Sequence, residues 1–132
     1  MAKKTVDDLL AEARAKLDRV GPEEAKAAVD AGDALIVDIR MEAQRAADGV
    51  VPGAAYVHRN VIEWRVDPET DYADPALASG RRIIVMCDAG YTSSLVAATL
   101  QELGLEDATD LAGGFQAWRG AELPVEPLAR SS

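Results

Sequence analysis

The sequence predicts one α/β domain over residues 1–132, with an open, mostly parallel central sheet and helices on both faces. Two short β-branched runs, at residues 34–39 and 83–86, are almost continuously apolar, as in parallel strands covered on both faces. Segments with helical spacing of their apolar residues alternate with these runs. The chain is 48% hydrophobic, which suffices for one sizeable core, expected at about residues 20–125, and not for two ordinary domains.

Two helices are predicted before the first strand. Residues 5–19 begin with a threonine cap and acidic residues in the first turn, and apolar residues then recur at helical spacing. Gly21 and Pro22 end this helix and start a second, which Gly32 stops. The strand at 34–39 follows directly.

The second half of the chain is predicted to contain a strand, a loop and a helix. The strand at 83–86 leads into a loop that Cys87 opens, and residues 93–103 have the apolar spacing of a helix. Weaker strand candidates lie at 54–57 and 108–110. Ligands of such sheets bind beyond the carboxyl ends of the strands, which is where Cys87 is expected.

Two segments are predicted to lie outside the regular structure. Residues 66–79 contain two Asp-Pro pairs and other turn residues, which indicate an exposed excursion. Residues 126–132 are predicted to be a short, frayed tail. Gly113 and Gly114 are predicted to form a turn.

Composition excludes several classes of partner and location. Asp and Glu number 23 against 14 Lys and Arg, giving a net charge of −9, so a nucleic-acid partner is not expected. Acidic residues interrupt the first twelve positions, and charges bracket the strongest apolar run. We therefore expect neither a signal peptide nor a membrane span, and a cytoplasmic location.

The one cysteine of the sequence, Cys87, is either a buried bystander or a reactive thiol, since alone it forms neither an internal disulfide nor a multi-cysteine zinc site. Its position between a strand and a helix favours the reactive thiol. Backbone N–H groups of such a loop converge on an anion, and the positive end of the helix stabilises a thiolate. The loop comprises Cys87, Asp88, Ala89, Gly90, Tyr91, Thr92 and Ser93.

This loop resembles that of the rhodanese homology family, in which the active-site cysteine begins a segment of the form Cys-x-x-Gly-x-x-Ser/Thr before a helix. Cys87, Gly90 and Ser93 match that form. Three further segments are similar to motifs of the family, namely LIVDIR at 35–40, VPGA at 51–54 and DLAGGFQAW at 110–118. Four ordered segments at family-like separations are more specific than any one of them.

The resemblance implies a rhodanese-like fold and a two-step sulfur transfer. Cys87 would take sulfane sulfur from a small donor such as thiosulfate and hold it as a persulfide. It would then pass this sulfur to cyanide or to a thiol, including a protein thiol. No organic cofactor and no metal is required, because the loop amides serve both half-reactions.

The charges of the loop depart from the family pattern. Members that favour thiosulfate commonly carry basic residues at the positions of Asp88 and Tyr91, so an acid here is expected to repel a dianionic donor. Arg59 and Arg65 would restore positive charge if they reach the pocket, with Trp64 as a wall; the alternative is that both are surface arginines. A catalytic role for His58 is not favoured.

The first strand carries a charged pair of a different kind. Asp38 lies on a strand predicted to be buried, where an isolated charge is costly, so a salt bridge or a cap is expected rather than acid-base chemistry. Arg40 is expected to be structural and paired with a carboxylate.

Two other functions remain open at this stage. Cysteine phosphatases and arsenate reductases use a similar loop, but theirs is one residue longer and ends in arginine, and no arginine lies between Cys87 and Leu95. A sulfur-carrier or regulatory module with low turnover would fit the atypical loop charges.

Overall fold

The computed structural model describes residues 3–129 and has a parallel sheet at its centre. Within those residues the strands are β1 (Ala34–Asp38), β2 (Ala55–Tyr56), β3 (Arg82–Met86) and β4 (Thr109–Asp110). Their order is β2-β1-β3-β4, and every pair is parallel. β1 and β3 align over their whole length, so the ends of both lie at one edge of the sheet. The predicted α/β class and all four strand positions are confirmed.

The helices are α1 (Val6–Ala15), α2 (Pro22–Asp30), α3 (Glu42–Asp48), α4 (Ile62–Val66), α5 (Thr92–Glu102) and α6 (Gly114–Gly120). Leu35 and Val37 of β1 pack in a core cluster with residues of α4 and α5, and Ile36 packs in a second cluster with α2 and α6. Both faces of the sheet are thus covered, which is why β1 and β3 read as continuous apolar runs. α1 packs on the outside of α5.

The first helix ends earlier than the predicted boundary at residue 19. α1 stops at Ala15, because the following residues turn back and bring Val20 alongside Leu111 in a parallel bridge. The N–H of Val20 donates to Asp110 O at 3.2 Å, and Val20 O accepts from Ala112 N at 2.8 Å. This pairing covers the exposed edge of β4, which a continued helix would leave open.

Three helices have no clear periodic signal in the sequence. α3, α4 and α6 have five to seven residues each, too few for a recognisable apolar stripe. Gly113 and Gly114 do turn the chain, with φ of +77° and +62°, and Gly114 also starts α6.

Two expectations about exposed segments were wrong in part. Residues 66–79 are mostly turns, but Val66 and Leu77 are buried in the main core cluster and anchor the excursion to it. The predicted frayed tail begins as ordered chain, since Glu126 and Val50 exchange two backbone hydrogen bonds of 2.7 and 2.9 Å. Residues 130–132 of that tail lie outside the described residues. No helix within residues 3–129 is long and apolar enough to cross a membrane.

Candidate active site

Cys87 is the first residue after β3, and its sulfur lies at the amino end of α5. The Sγ atom accepts hydrogen bonds from the backbone N–H of Gly90 at 3.2 Å and of Ser93 at 3.4 Å. The cysteine is partly exposed, so a reagent can reach it. Two amides and the positive end of an eleven-residue helix therefore face a sulfur atom that solvent also reaches, an arrangement that stabilises an anionic sulfur.

The carbonyl groups of the loop point away from the sulfur. Cys87 O accepts from the N–H of Phe115 at 2.8 Å, and Asp88 O accepts from the N–H of Gln116 at 3.0 Å. Both donors belong to the first turn of α6, whose N–H groups have no partner within their own helix. α6 thus turns the loop so that its carbonyls are satisfied on one side and its amides are free to bind an anion on the other.

Two glycines allow this close packing of the loop on α6. Gly90 has φ of +87°, and a Cβ there would lie 2.7 Å from the backbone nitrogen of Gly113. A Cβ on Gly114 would lie 2.5 Å from Cys87 O. Both positions combine a left-handed backbone with a backbone neighbour too close for any side chain, so glycine is required at each.

A buried carboxylate binds the side chains at the end of the loop. Asp110 at the end of β4 is fully buried and accepts from Ser93 Oγ at 2.7 Å and from Ser94 Oγ at 2.8 Å. Neither Asp110 nor Ser94 was predicted from the sequence as a site residue. The available signal was a charged residue at the end of a predicted strand, the same pattern that drew attention to Asp38.

A cavity of about 330 Å³ opens beside Cys87. Its lining combines apolar, polar and charged side chains: Ile39, Arg40, Met41, Gln44, Arg59, Cys87, Asp88, Ala89, Tyr91 and Thr92. Met41 and Tyr91 are largely exposed and form part of its rim. The cavity is therefore wide enough for a small donor and bordered by an apolar surface.

Asp88 is among the residues that line this cavity. It is half-buried, and its Oδ1 accepts from Gln116 Nε2 at 3.0 Å. Because its hydrogen-bond partner is a neutral amide, the charge of the carboxylate is not cancelled by this contact. Gln116 was not recognised from the sequence.

The two arginines expected near the pocket are separated by the structure. Arg59 lines the cavity of Cys87 and lies 3.4 Å from Glu63 Oε2. Arg65 instead donates to Tyr72 O at 3.0 Å and lies beside a different groove, together with Trp64. Arg65 and Trp64 are therefore not among the residues that line the Cys87 cavity, because α4 places them in a groove with Tyr72 of the excursion at 66–79.

His58 is exposed, and its Nδ1 accepts from the N–H of Asn60 at 3.1 Å. It caps a local turn and is not part of the lining of the Cys87 cavity.

Asp38 and Arg40 form a buried ion pair at the end of β1. Arg40 donates through Nε and Nη2 to the two carboxylate oxygens at 3.1 and 2.9 Å, and its guanidinium lies 3.9 Å from the centre of the Phe115 ring. A third donor, Arg45 Nε, lies 3.3 Å from the same carboxylate. Such a fork fixes both side chains, and it holds β1 against α6 beside the cavity.

A parallel α/β fold whose loop wraps a cysteine sulfur in backbone amides is the architecture of a rhodanese-like domain. The model of that family, the rhodanese-like domain, matches residues 21–121. The chain therefore belongs to the rhodanese-like domain family.

Several named proteins and solved structures are similar to this chain. The thiosulfate sulfurtransferase GlpE of Glaesserella parasuis is 32% identical over 107 residues, which cover 81% of this chain and 91% of that protein. A protein of unknown function from Rhodopseudomonas palustris, named as a possible tyrosine phosphatase, superposes with a TM-score of 0.87 at 32% identity, covering 96% and 97% of the two chains. A thiosulfate sulfurtransferase from Pseudomonas aeruginosa superposes with a TM-score of 0.69 at 26% identity over 92% of this chain and 22% of its own.

Proposed function

We propose that this protein is a sulfurtransferase that moves sulfane sulfur from a small donor to a nucleophilic acceptor through a persulfide on Cys87. One observation carries the proposal: Cys87 is partly exposed in a loop, and its sulfur accepts hydrogen bonds from two backbone N–H groups. The relatives named as thiosulfate sulfurtransferases support the same class of reaction.

In the first half-reaction the Cys87 thiolate attacks the outer sulfur of thiosulfate. A bond forms between Sγ and that sulfur, the bond between the two thiosulfate sulfurs breaks, and its electron pair leaves with sulfite. The product is Cys87 persulfide, which carries the single negative charge that the thiolate had. The amides of Gly90 and Ser93 donate to Sγ and stabilise the Cys87 thiolate, which is the attacking group in this step and the leaving group in the next one.

In the second half-reaction a nucleophile takes the outer sulfur of the persulfide. Cyanide attack forms a carbon–sulfur bond, breaks the sulfur–sulfur bond and returns Cys87 as thiolate with release of thiocyanate. A thiolate acceptor, free or on another protein, leaves instead as a persulfide. Neither half-reaction consumes an external oxidant or reductant.

The cavity charges favour donors other than a dianion. Asp88 is one of the residues that line the cavity, and the Arg40 and Arg59 guanidiniums in the same lining each lie near another carboxylate. A dianion meets both signs of charge there, so its attraction to Arg59 is offset in part by repulsion from Asp88. The exposed Met41 and Tyr91 favour a donor with apolar surface. The same features are compatible with slow turnover of thiosulfate, as in a sulfur carrier that receives sulfur from a partner protein.

Intact mass spectrometry tests the proposal directly. After exposure to thiosulfate, or to an organic persulfide, the parent protein is expected to gain one sulfur atom and to lose it on addition of cyanide with release of thiocyanate. Cys87→Ser is the control and is expected to gain none. Turnover by Cys87→Ser would refute the persulfide, and a parent protein that gains no sulfur from either donor would refute the function.

Hydrolysis of a generic aryl phosphate on the same sample distinguishes the phosphatase alternative that one structural relative carries in its name. The loop from Cys87 to Ser93 contains no arginine to bind a phosphoryl group, so no Cys87-dependent hydrolysis is expected. Hydrolysis that is lost in Cys87→Ser would favour the phosphatase.

A further inference from the structure

Two arginines from the amino-terminal segment meet at one carbonyl of the candidate active-site loop. Arg14 Nη2, on α1, donates to Gly90 O at 2.8 Å, and Arg19 Nη2 donates to the same oxygen at 2.9 Å. Gly90 is the residue whose own N–H lies 3.2 Å from Cys87 Sγ. The two arginines therefore hold one side of Gly90 while its other side binds the sulfur.

The same two arginines also support Ser93, the second residue whose N–H donates to Cys87 Sγ, through the side chains of Asp110 and Ser94. Arg19 binds the buried carboxylate of Asp110 through Nε at 2.8 Å and Nη2 at 3.1 Å, and Ser93 Oγ donates to that carboxylate. Arg14 Nε donates at 3.1 Å to Ser94 Oγ, which also donates to Asp110. The hydroxyl of Ser93 is thus fixed behind the loop while its N–H faces Cys87 Sγ.

We infer that Arg14 and Arg19 are positioning residues for the candidate active-site loop, orienting the two N–H groups that bind the Cys87 sulfur. Both lie before residue 21, outside the segment that matches the family model. The inference rests on the proposed function for the reaction it serves, but the geometry concerns the thiolate before any sulfur is transferred.

The physical reason lies in the freedom of Gly90. Its φ of +87° is one of several conformations open to glycine, so its flanking peptide groups rotate easily unless they are held. A carbonyl rotated toward the sulfur would present a negative dipole to an anion. Two guanidinium donors on Gly90 O oppose that rotation, because charged donors make hydrogen bonds about twice as strong as neutral ones.

The test uses the full chain and measures the thiolate rather than sulfur transfer. Arg14→Gln is chosen because Arg14 is only half-buried and the variant leaves the Arg19–Asp110 ion pair intact. Arg14→Lys keeps the positive charge but presents it on a compact ammonium group. Arg19→Lys keeps a cation beside Asp110 but removes the two-pronged guanidinium contact. Lys4→Gln is the matched control, since it removes one positive charge from an exposed ion pair with Glu12.

Arg14→Gln is expected to lower the rate constant for alkylation of Cys87 by iodoacetamide, a neutral reagent, about threefold to tenfold, the effect of losing one hydrogen bond of ordinary net strength. Arg14→Lys should recover part of the rate, and Lys4→Gln should match the parent. Amide hydrogen exchange should accelerate at Gly90 and Ser93 and stay unchanged at Val96, which is buried further along α5.

Two results would overturn the inference. One is alkylation and exchange at the parental rates in both Arg14→Gln and Arg19→Lys. The other is equal acceleration of exchange at Gly90, Ser93 and Val96, which would show that the arginines stabilise α5 as a whole. Because neither measurement uses a sulfur donor, the inference can hold even if the thiosulfate and cyanide experiments fail.

Discussion

Arg59 and Arg65 are six residues apart in the sequence, and their guanidinium groups lie in different surroundings. Arg59 is on the cavity wall near Cys87, with Glu63 at 3.4 Å, whereas Arg65 is bound to the carbonyl of Tyr72. A charge beside the cavity affects how an anion is bound before it reacts, while a charge elsewhere does not. The pair therefore offers a matched comparison of the same substitution inside and outside the candidate site.

Arg59→Ala is expected to raise KM for thiosulfate about threefold to tenfold with little change in kcat, because the lost contact is one made in the ground state. Arg65→Ala should leave both constants unchanged. Steady-state thiocyanate release measures both variants. Equal effects of the two substitutions would remove Arg59 from the binding site.

Residue types and their neighbours in sequence identified the loop but not everything that holds it. Cys87, Gly90 and Ser93 stand out because a strand precedes them and a helix follows. Arg14 and Arg19 carry no such signal, since their partners are 71 to 91 positions away in the chain. Contacts over that separation depend on how α1 packs against α5, which no local pattern encodes.

The contact between the loop and α6 is the decisive feature among the secondary-structure elements. The first turn of α6 binds the carbonyls of Cys87 and Asp88, and Gly113 passes against Gly90 with no room for a side chain. The motif around Gly113 and Gly114 is thus part of the candidate active site, although it is more than twenty residues from Cys87 in the sequence.

Gly90→Ala and Gly104→Ala separate crowding from backbone strain. Both glycines have positive φ, but no atom lies within 4 Å of a Cβ on Gly104, whereas a Cβ on Gly90 would meet the Gly113 backbone. Gly104→Ala is expected to cost about 1–2 kcal/mol of unfolding free energy from strain alone. Gly90→Ala should cost about 1–3 kcal/mol more, because packed backbone must move.

Urea denaturation measures both glycine variants, with Cys87 alkylation as a second readout. Gly90→Ala should also slow alkylation, since the N–H that binds Sγ is displaced, and Gly104→Ala should not. A similar loss of stability in the two variants would mean that the loop and Gly113 separate at little cost.

On the scale of the whole molecule, charge distribution decides how an anionic donor approaches. The net charge is −9, and Asp88 is the acidic residue among those that line the cavity. Asp33 is an exposed acid just before β1, at the end of the sheet opposite Cys87. The two aspartates contribute equally to the net charge and very differently to the field at the sulfur.

Salt is expected to raise kcat/KM for thiosulfate in the parent protein, because it screens repulsion between a dianion and a negative protein. Asp88→Arg should raise kcat/KM at low salt and remove most of this salt dependence, whereas Asp33→Arg, with the same change in net charge, should retain it. A neutral donor should respond to neither variant. If Asp88→Arg behaves like Asp33→Arg, the Asp88 carboxylate does not face the incoming donor.

The parallel α/β class, the positions of the strands and the place of Cys87 between β3 and α5 were all predictable from the sequence. These follow from local signals, namely continuous apolar runs, helical spacing and a cysteine followed by glycine and serine at fixed intervals. Short helices and the ends of longer ones were not determined, because tertiary pairing such as that of Val20 with Leu111 sets them.

The charges that surround the sulfur depend on how distant segments of the chain pack together. Arg59 lies at the cavity and Arg65 does not because of the direction in which α4 presents them, and Asp110 collects Arg19, Ser93 and Ser94 because β4 ends beside α5. Buried polar groups must find partners wherever the fold places them, and those partners come from distant segments of the chain. The residues that give the loop its chemistry are therefore adjacent in the sequence, while the residues that hold the loop in place come from distant parts of the fold.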